Sequence, residues 1–194
     1  TAPAQTTSSV TGLSATSYSV TVTDAKSCTQ SNNVSLSQPT ALTATMSNTN
    51  PGCNGGTNGT ATLTVTGGTA GYTYSWSTAP AQTTSSVTGL SATSYTVTVT
   101  DAKSCTQSNN VALSQPTSLT TTMSNTNPGC NGGTNGTATV TTSGGTAGYS
   151  YSWSTVPAQT TSAVTGLSAT SYTVTVTDTK SCTQSNNVTL SQPT

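Results

Sequence analysis

Arginine, glutamate, histidine and phenylalanine are all absent from this 194-residue sequence. Its charged side chains are three lysines and three aspartates, namely Lys26, Lys103, Lys180, Asp24, Asp101 and Asp178. So few charges cannot form the basic surface that binds nucleic acid or an anionic membrane, and we expect neither partner. No stretch of about 18 apolar residues occurs, so we also expect no membrane insertion.

The missing histidine and glutamate also exclude most catalytic and metal sites. A nucleophilic side chain needs a neighbouring base, and paired-carboxylate chemistry needs two acids close together. Calcium sites gather several carboxylates, and structural zinc sites use four nitrogen or sulfur ligands. Asp101 stands beside Lys103 among turn residues, and we interpret it as a turn-forming side chain in an exposed turn. We therefore predict no enzyme, no catalytic residue, no metal site and no cofactor.

What the sequence does contain is a repeat. The segment CNGGTNGTAT occurs twice, 77 residues apart. Residues 41–117 and 118–194 differ at 10 of 77 positions, and residues 1–40 differ from 78–117 at 2 of 40. We therefore divide the chain into the C-terminal half of a truncated repeat (1–40) and two complete repeats (41–117 and 118–194).

Within each repeat, apolar residues alternate with threonine and serine over short runs. The strongest run places Tyr95, Val97 and Val99 between threonines, which is the period of a strand with one buried face. Loops rich in asparagine, glycine and proline separate six or seven such runs, and no run has helical periodicity. The pattern predicts an all-β fold of tandem immunoglobulin-like antiparallel β-sandwich repeats.

Aromatic residues are expected to fill the core. Trp76 and its copy Trp153 lie at inward-facing positions of an aromatic strand. Tyr95 and its copy Tyr172 follow a Gly-Leu pair at the spacing of a tyrosine corner, in which the hydroxyl would bond the backbone near Gly89. The alternative is that these tyrosines are simple core residues.

Each complete repeat has two cysteines, and we predict that they form one disulfide per repeat. The predicted pairs are Cys53 with Cys105 and Cys130 with Cys182, each 52 positions apart. A small core benefits from such a cross-link, worth ~4 kcal/mol for a loop of this length, and it favours a secreted, oxidised setting. Cys28 matches Cys105, so we expect it to be unpaired because of truncation. The alternative is two buried free thiols per repeat.

Rows of alternating threonines, as at residues 60–64, raise the possibility of an ice-binding surface. Threonine is, however, a common outward residue of strands because of its high β-propensity. Solenoid ice binders also repeat every dozen or so residues. We treat ice binding as the weakest of the functional hypotheses.

Three segments, CNGGTNGTATLTVTGGTAGYTYSWS, TTSSVTGLSATSYTVTVTDAKSCT and VALSQPT, together resemble the SprB repeat. That family occurs in very large surface adhesins of gliding Bacteroidetes and in related secreted proteins. The resemblance implies type IX export, surface attachment, and a role in adhesion or gliding motility. The chain has Lys103-Ser104 where family members often have Asn-Gly, a difference that alters the turn and not the core.

We therefore expect structural spacer repeats of a long, secreted adhesin or filament at the bacterial cell surface. A joint at Pro116, Thr117 and Ser118 would make the string semi-rigid. The expected partners are neighbouring repeats of the same chain, with surface polysaccharide or lateral copies in a filament as further partners. The alternative function is a carbohydrate-binding array, which solvent-exposed tryptophans would favour.

Overall fold

In the computed structural model, which describes residues 5–194, every regular element is a β-strand. The first two strands are β1 (Ser17–Thr23) and β2 (Thr29–Ser35). The next six are β3 (Thr43–Thr49), β4 (Gly59–Thr66), β5 (Thr73–Trp76), β6 (Ser86–Leu90), β7 (Ser94–Thr100) and β8 (Thr106–Ala112). The last six are β9 (Thr120–Thr126), β10 (Gly136–Ser143), β11 (Ser150–Trp153), β12 (Ala163–Leu167), β13 (Ser171–Thr177) and β14 (Thr183–Thr189). Within residues 5–194 no helix qualifies as a membrane span.

Each complete repeat forms two three-stranded antiparallel sheets. In the first repeat the strand orders are β3-β4-β6 and β5-β7-β8, and in the second they are β9-β10-β12 and β11-β13-β14. These orders correspond to the A-B-E and C-F-G sheets of an immunoglobulin-like sandwich without strand D. The predicted fold class, tandem antiparallel β-sandwich repeats, is confirmed.

The core lies between the two sheets and consists of the inward residues of the alternating strands. Nine buried hydrophobic side chains form the core cluster of each repeat. In the first repeat these are Ala61, Leu63, Trp76, Val87, Leu90, Val97, Val99, Val111 and Leu113. Tyr72, Tyr74 and Tyr95 pack at the edge of this cluster and are half-buried. The alternation predicted from sequence therefore points the apolar residues to one side.

Hydroxyl groups cover the outside, and many bond to each other across strands. Thr43 and Thr66 lie 2.7 Å apart through their side-chain oxygens, and Thr98 and Ser108 lie 3.0 Å apart. Cross-strand hydroxyl pairs of this kind stabilise a sheet without adding charge.

The two ends of a repeat differ in structure. At the N-terminal end, the Gly67-Gly68 turn closes on the incoming chain, and the Gly68 N–H donates to Thr40 O at 2.8 Å. Both glycines have positive φ, and a side chain at Gly67 would collide with the Ala41 carbonyl. At the C-terminal end, β3 leads into a loop over residues 50–58, which we call the cysteine loop. The seven residues 113–119 then join β8 to β9, a longer joint than the three-residue one predicted.

Strands β1 and β2 form a hairpin whose register matches that of β7 and β8. Tyr18 faces Val34 in the hairpin, as Tyr95 faces Val111 in the complete repeat. Among the described residues no second sheet covers this hairpin. Val22, which is equivalent to the core residue Val99, is consequently 64% exposed.

Candidate functional site at the junction between repeats

The cysteine loop is held at the C-terminal end of its repeat by asparagine and glutamine side chains. Within the loop, the Gly52 N–H donates to Asn58 Oδ1 at 3.1 Å. The tail that follows β8 holds the loop from outside, because the Gly55 N–H donates to Gln115 Oε1 at 2.8 Å. Asn54 Nδ2 also donates to the Pro116 carbonyl at 3.1 Å. These bonds place Cys53 beside the start of the next repeat.

The second cysteine of each repeat follows a turn built around an aspartate, which we call the aspartate turn (residues 101–105 and 178–182). In the first repeat, Asp101 Oδ1 accepts the N–H groups of Lys103 and Cys105, at 2.8 and 2.9 Å. Asp101 Oδ2 accepts the Thr69 N–H at 2.8 Å, which ties the turn to the Gly67-Gly68 region. Ser104 takes a positive φ of 64° inside the turn. The aspartate turn therefore lies at the N-terminal end of the repeat.

At the junction, the cysteine loop of the first repeat meets the aspartate turn of the second. Cys53 and Cys182 form a disulfide with a Cα–Cα distance of 5.7 Å, across 129 residues of sequence. Cys182 Sγ also lies 3.5 Å from the Gly52 carbonyl oxygen. Leu119, at the start of the second repeat, is buried beside this contact. The two sandwiches are thus joined both by the chain and by a covalent cross-link.

This cross-link corrects the predicted pairing. We expected Cys53 to pair with Cys105 and Cys130 with Cys182, but Cys105 and Cys130 are exposed free thiols. The physical reason is distance along the sandwich: the cysteine loop and the aspartate turn cap opposite ends of β8. A strand of seven residues spans ~23 Å, whereas a disulfide needs Cα atoms within about 7 Å. Cys28 is also a free, exposed thiol.

The aspartate is buried, which corrects the predicted exposed turn. Asp101 is 5% exposed, and Asp178 in the second repeat is 5% exposed as well. The Thr69 N–H lowers the pKa of Asp101 most, and the N–H groups of Cys105 and Lys103 lower it further, against an opposing effect of desolvation. The Asp178 pKa is lowered in the same way, first by the Thr146 N–H. Both carboxylates hold the turn that presents the second cysteine.

Of the aromatic residues predicted for the core, the two tryptophans are buried and the two tyrosines bond to backbone through their hydroxyls. Trp76 and Trp153 are each 2% exposed, and Trp76 Nε1 donates to the Thr84 carbonyl at 2.8 Å. The Tyr95 hydroxyl accepts the Ser91 N–H at 3.1 Å, one residue beyond the Gly-Leu pair named from sequence, and Tyr172 makes the equivalent contact with Ser168 at 3.2 Å. Neither tryptophan offers a face on which a sugar ring could stack.

Sequence reasoning missed the polar residues that shape the ends and edges of the sandwich. Asn50 and Ser114 bond to each other twice, at 2.9 and 3.1 Å, and pin the cysteine loop to the tail. Asn109 Nδ2 donates to the Ala44 carbonyl at 3.1 Å and links the two sheets across their edge. The only sequence signal for these roles is that each asparagine recurs at 77 residues, as Asn127 and Asn186.

Among the described residues, no three His, Cys, Asp or Glu side chains are grouped as a metal site would require. The polar groups at the junction bond to backbone or to each other, and the sulfur atoms are joined. The chemistry that this junction supports is therefore thiol oxidation and reduction.

Comparison with known proteins supports a structural assignment. No curated protein matches the chain. The family model described as the SprB repeat matches residues 45–81 and 122–158. Each match begins in the first strand of a complete repeat and ends just past its third strand. The SprB repeat is a structural repeat of surface adhesin-like proteins and not an enzyme family. The predicted resemblance to the SprB repeat is confirmed, with one match inside each of the two complete repeats.

Proposed function

We propose that these repeats are spacers in a long, extracellular adhesin or filament, each adding one folded unit of length. The observation that carries this proposal is the junction, where Cys53 and Cys182 lock two successive sandwiches together. A chain that must extend far from its attachment point needs junctions at which successive repeats do not bend back on each other. A second covalent connection beside the seven-residue joint restricts such bending.

The surface chemistry supports the same role. The exterior carries hydroxyl groups paired across strands and almost no charge. Such a surface is hydrated but offers few ionic contacts to partners, so many copies can stand side by side with little sensitivity to salt. Because each repeat has its own core, length grows in proportion to copy number.

The disulfide supports an extracellular location. Disulfides persist in oxidising compartments and are rare in the reducing cytosol. Proteins with the SprB repeat are associated with the cell surface. Adhesion and gliding motility remain the roles that the family suggests for the whole protein, and the spacer role is the part assigned to these repeats.

The test is a measurement of length against copy number. Arrays with two, four and eight copies of residues 118–194 would be imaged by electron microscopy and measured by small-angle scattering under oxidising conditions. We expect the contour length to rise linearly, by on the order of 35–45 Å per repeat. A maximum dimension that stops growing with copy number, as in a collapsed array, would overturn the proposal.

A matched control addresses carbohydrate binding. The same arrays would be tested on a polysaccharide panel by affinity electrophoresis. The spacer role predicts no retardation at any copy number. Retardation that grows with copy number would instead indicate a carbohydrate-binding array.

A further inference from the structure

Each of the three free thiols, Cys28, Cys105 and Cys130, has an equivalent cysteine in another repeat that takes part in the disulfide. Cys130 corresponds to Cys53, and Cys105 and Cys28 correspond to Cys182. The bond that exists joins the first cysteine of one repeat to the second cysteine of the next. Each free thiol is therefore one half of a site whose other half would belong to an adjacent copy.

The half-site at Cys130 has two of the three hydrogen bonds that hold the bonded one. The Gly132 N–H donates to Gln192 Oε1 at 2.9 Å, and the Gly129 N–H donates to Asn135 Oδ1 at 3.1 Å. The equivalent bonds around Cys53 are 2.8 and 3.1 Å. The loop thus keeps its shape without a partner, while Cys130 is exposed and Cys53 is half-buried.

The half-site at Cys105 is preformed in the same sense. Asp101 Oδ1 accepts the Cys105 N–H at 2.9 Å, as Asp178 Oδ1 accepts that of Cys182 at 2.9 Å. The turn therefore presents Cys105 at the N-terminal end of its repeat in the conformation that Cys182 has in the disulfide. Cys105 and Cys130 cannot meet each other within one chain, because they lie at opposite ends of the two-repeat body.

We propose that Cys105 and Cys130 are inter-repeat cross-linking sites whose partner is a further copy of this repeat. Cys130 takes the second cysteine of a following copy, and Cys105 takes the first cysteine of a preceding copy. Every repeat in a longer array is then bonded to both neighbours, which makes a continuous covalent ladder alongside the backbone. Cys28 occupies the same position in the ladder as Cys105.

The oxidation balances with a disulfide as the oxidant, either a protein oxidase of the thiol–disulfide class or oxidised glutathione. One thiolate attacks the oxidant's disulfide, forming a mixed disulfide and releasing the first oxidant thiol. The second cysteine thiolate then attacks the mixed disulfide and releases the second oxidant thiol. Two protein thiols are oxidised to one disulfide, the oxidant's disulfide is reduced to two thiols, and the two cysteine protons end on the departing thiolates.

The consequence for a filament is mechanical. When the filament is pulled, force passes through each disulfide and bypasses the residues that lie between its two cysteines. Most of the chain is therefore not stretched, and a repeat can unfold only as far as its cross-links allow. The ladder goes beyond the spacer role, because spacers of this fold can extend without it. It rests on the observed bond and on the period of the sequence.

The test counts thiols in a chain lengthened by one further copy of residues 118–194. The proteins would be oxidised with a glutathione redox buffer, alkylated without reduction, and mapped by peptide mass spectrometry. We expect three alkylated cysteines in the 194-residue chain and three again in the lengthened chain, with Cys130 now bonded to the second cysteine of the added copy.

Other counts would overturn the ladder. Five thiols in the lengthened chain would mean that no further cross-link forms, and one thiol would mean that cysteines pair within a repeat. Bonding of Cys130 only between separate chains, seen as dimers on a non-reducing gel, would also contradict it. The variant Cys130→Ser should raise the number of free thiols in the lengthened chain by one, because the second cysteine of the added copy loses its partner. The fold and the Cys53–Cys182 bond should stay intact. Cys28→Ser is the matched control, because it removes one thiol and no cross-link. The length measurement above does not depend on this outcome, so the two proposals can fail separately.

Discussion

The hairpin β1–β2 and the hairpin β7–β8 have nearly the same sequence and the same strand register, but opposite environments. They differ only at Ser19, where β7 has Thr96, and at Ser35, where β8 has Ala112. Val20 is 56% exposed, yet its equivalent Val97 is 0% exposed. Strand pairing and turn geometry are therefore local properties of this sequence. Burial is not, because it requires the second sheet.

The comparison also separates the roles of equivalent polar residues. Asp24 accepts the N–H groups of Lys26 and Cys28 just as Asp101 does in its own turn. Of these two aspartates, only Asp101 also accepts an N–H from a second segment, that of Thr69. The first two bonds form the turn, and the third anchors the turn to a sandwich. Matched substitutions in the two hairpins can therefore distinguish local from tertiary contributions.

The largest expected effect comes from removing the cross-link. The double substitution Cys53→Ala and Cys182→Ala should lower the free energy of unfolding by roughly 4–5 kcal/mol, since the bond closes a loop of 129 residues. Guanidinium unfolding followed by tryptophan fluorescence would measure it, because each repeat has one buried tryptophan. Cys28→Ala, outside any disulfide, should change the result by less than about 0.5 kcal/mol. Equal stability of the double variant and the parent would show that the bond does not stabilise the folded pair.

The next effect concerns the core valines of the two hairpins. Val99→Ala removes two methyl groups from a fully buried site and should cost ~2–3 kcal/mol in the free energy of unfolding. Val22→Ala makes the same change at its equivalent, where the side chain is 64% exposed, and should cost less than about 0.5 kcal/mol. The measurement is chemical unfolding of both variants under identical redox conditions. Equal costs would mean that the hairpin β1–β2 is covered in solution.

The smallest expected effect is the response to acid. Because the pKa of Asp101 is lowered in the folded state, its stabilising contribution is present above the ordinary value of 3.8 and is lost as the pH falls below it. The same direction holds for Asp178, so the melting temperature should fall as the pH drops below about 4. Asp101→Asn should weaken this dependence, since only Asp178 then remains anchored in a sandwich.

The control for the acid experiment is Asp24→Asn, which lies in the hairpin outside both sandwiches. It should leave the pH dependence of the melting temperature unchanged. The sequence is well suited to this test, because it contains no glutamate and only three aspartates. An acid response that survives Asp101→Asn in full would show that the buried carboxylates do not produce it.

Much of the fold could be predicted from the sequence, because its signals are local. The alternation around Val97 and Val99 and the glycine pair at Gly67 report backbone conformation within a few residues. The predicted inward position of Trp76 depended on the same alternation. The candidate site could not be predicted as well. The pairing of Cys53 and the burial of Asp101 depend on which ends of the strands meet, and this information is spread over the whole repeat.

By itself, the sequence determined the 77-residue period, the strands and the side of each strand that is apolar, since steric and hydrophobic preferences act between near neighbours. Only the tertiary structure decided which cysteines bond. Within a repeat the two sulfurs are separated by the length of a strand, and stacking two sandwiches end to end brings Cys53 to Cys182. A disulfide forms where atoms meet in space, and a separation of 52 positions in the chain gives no information on that distance.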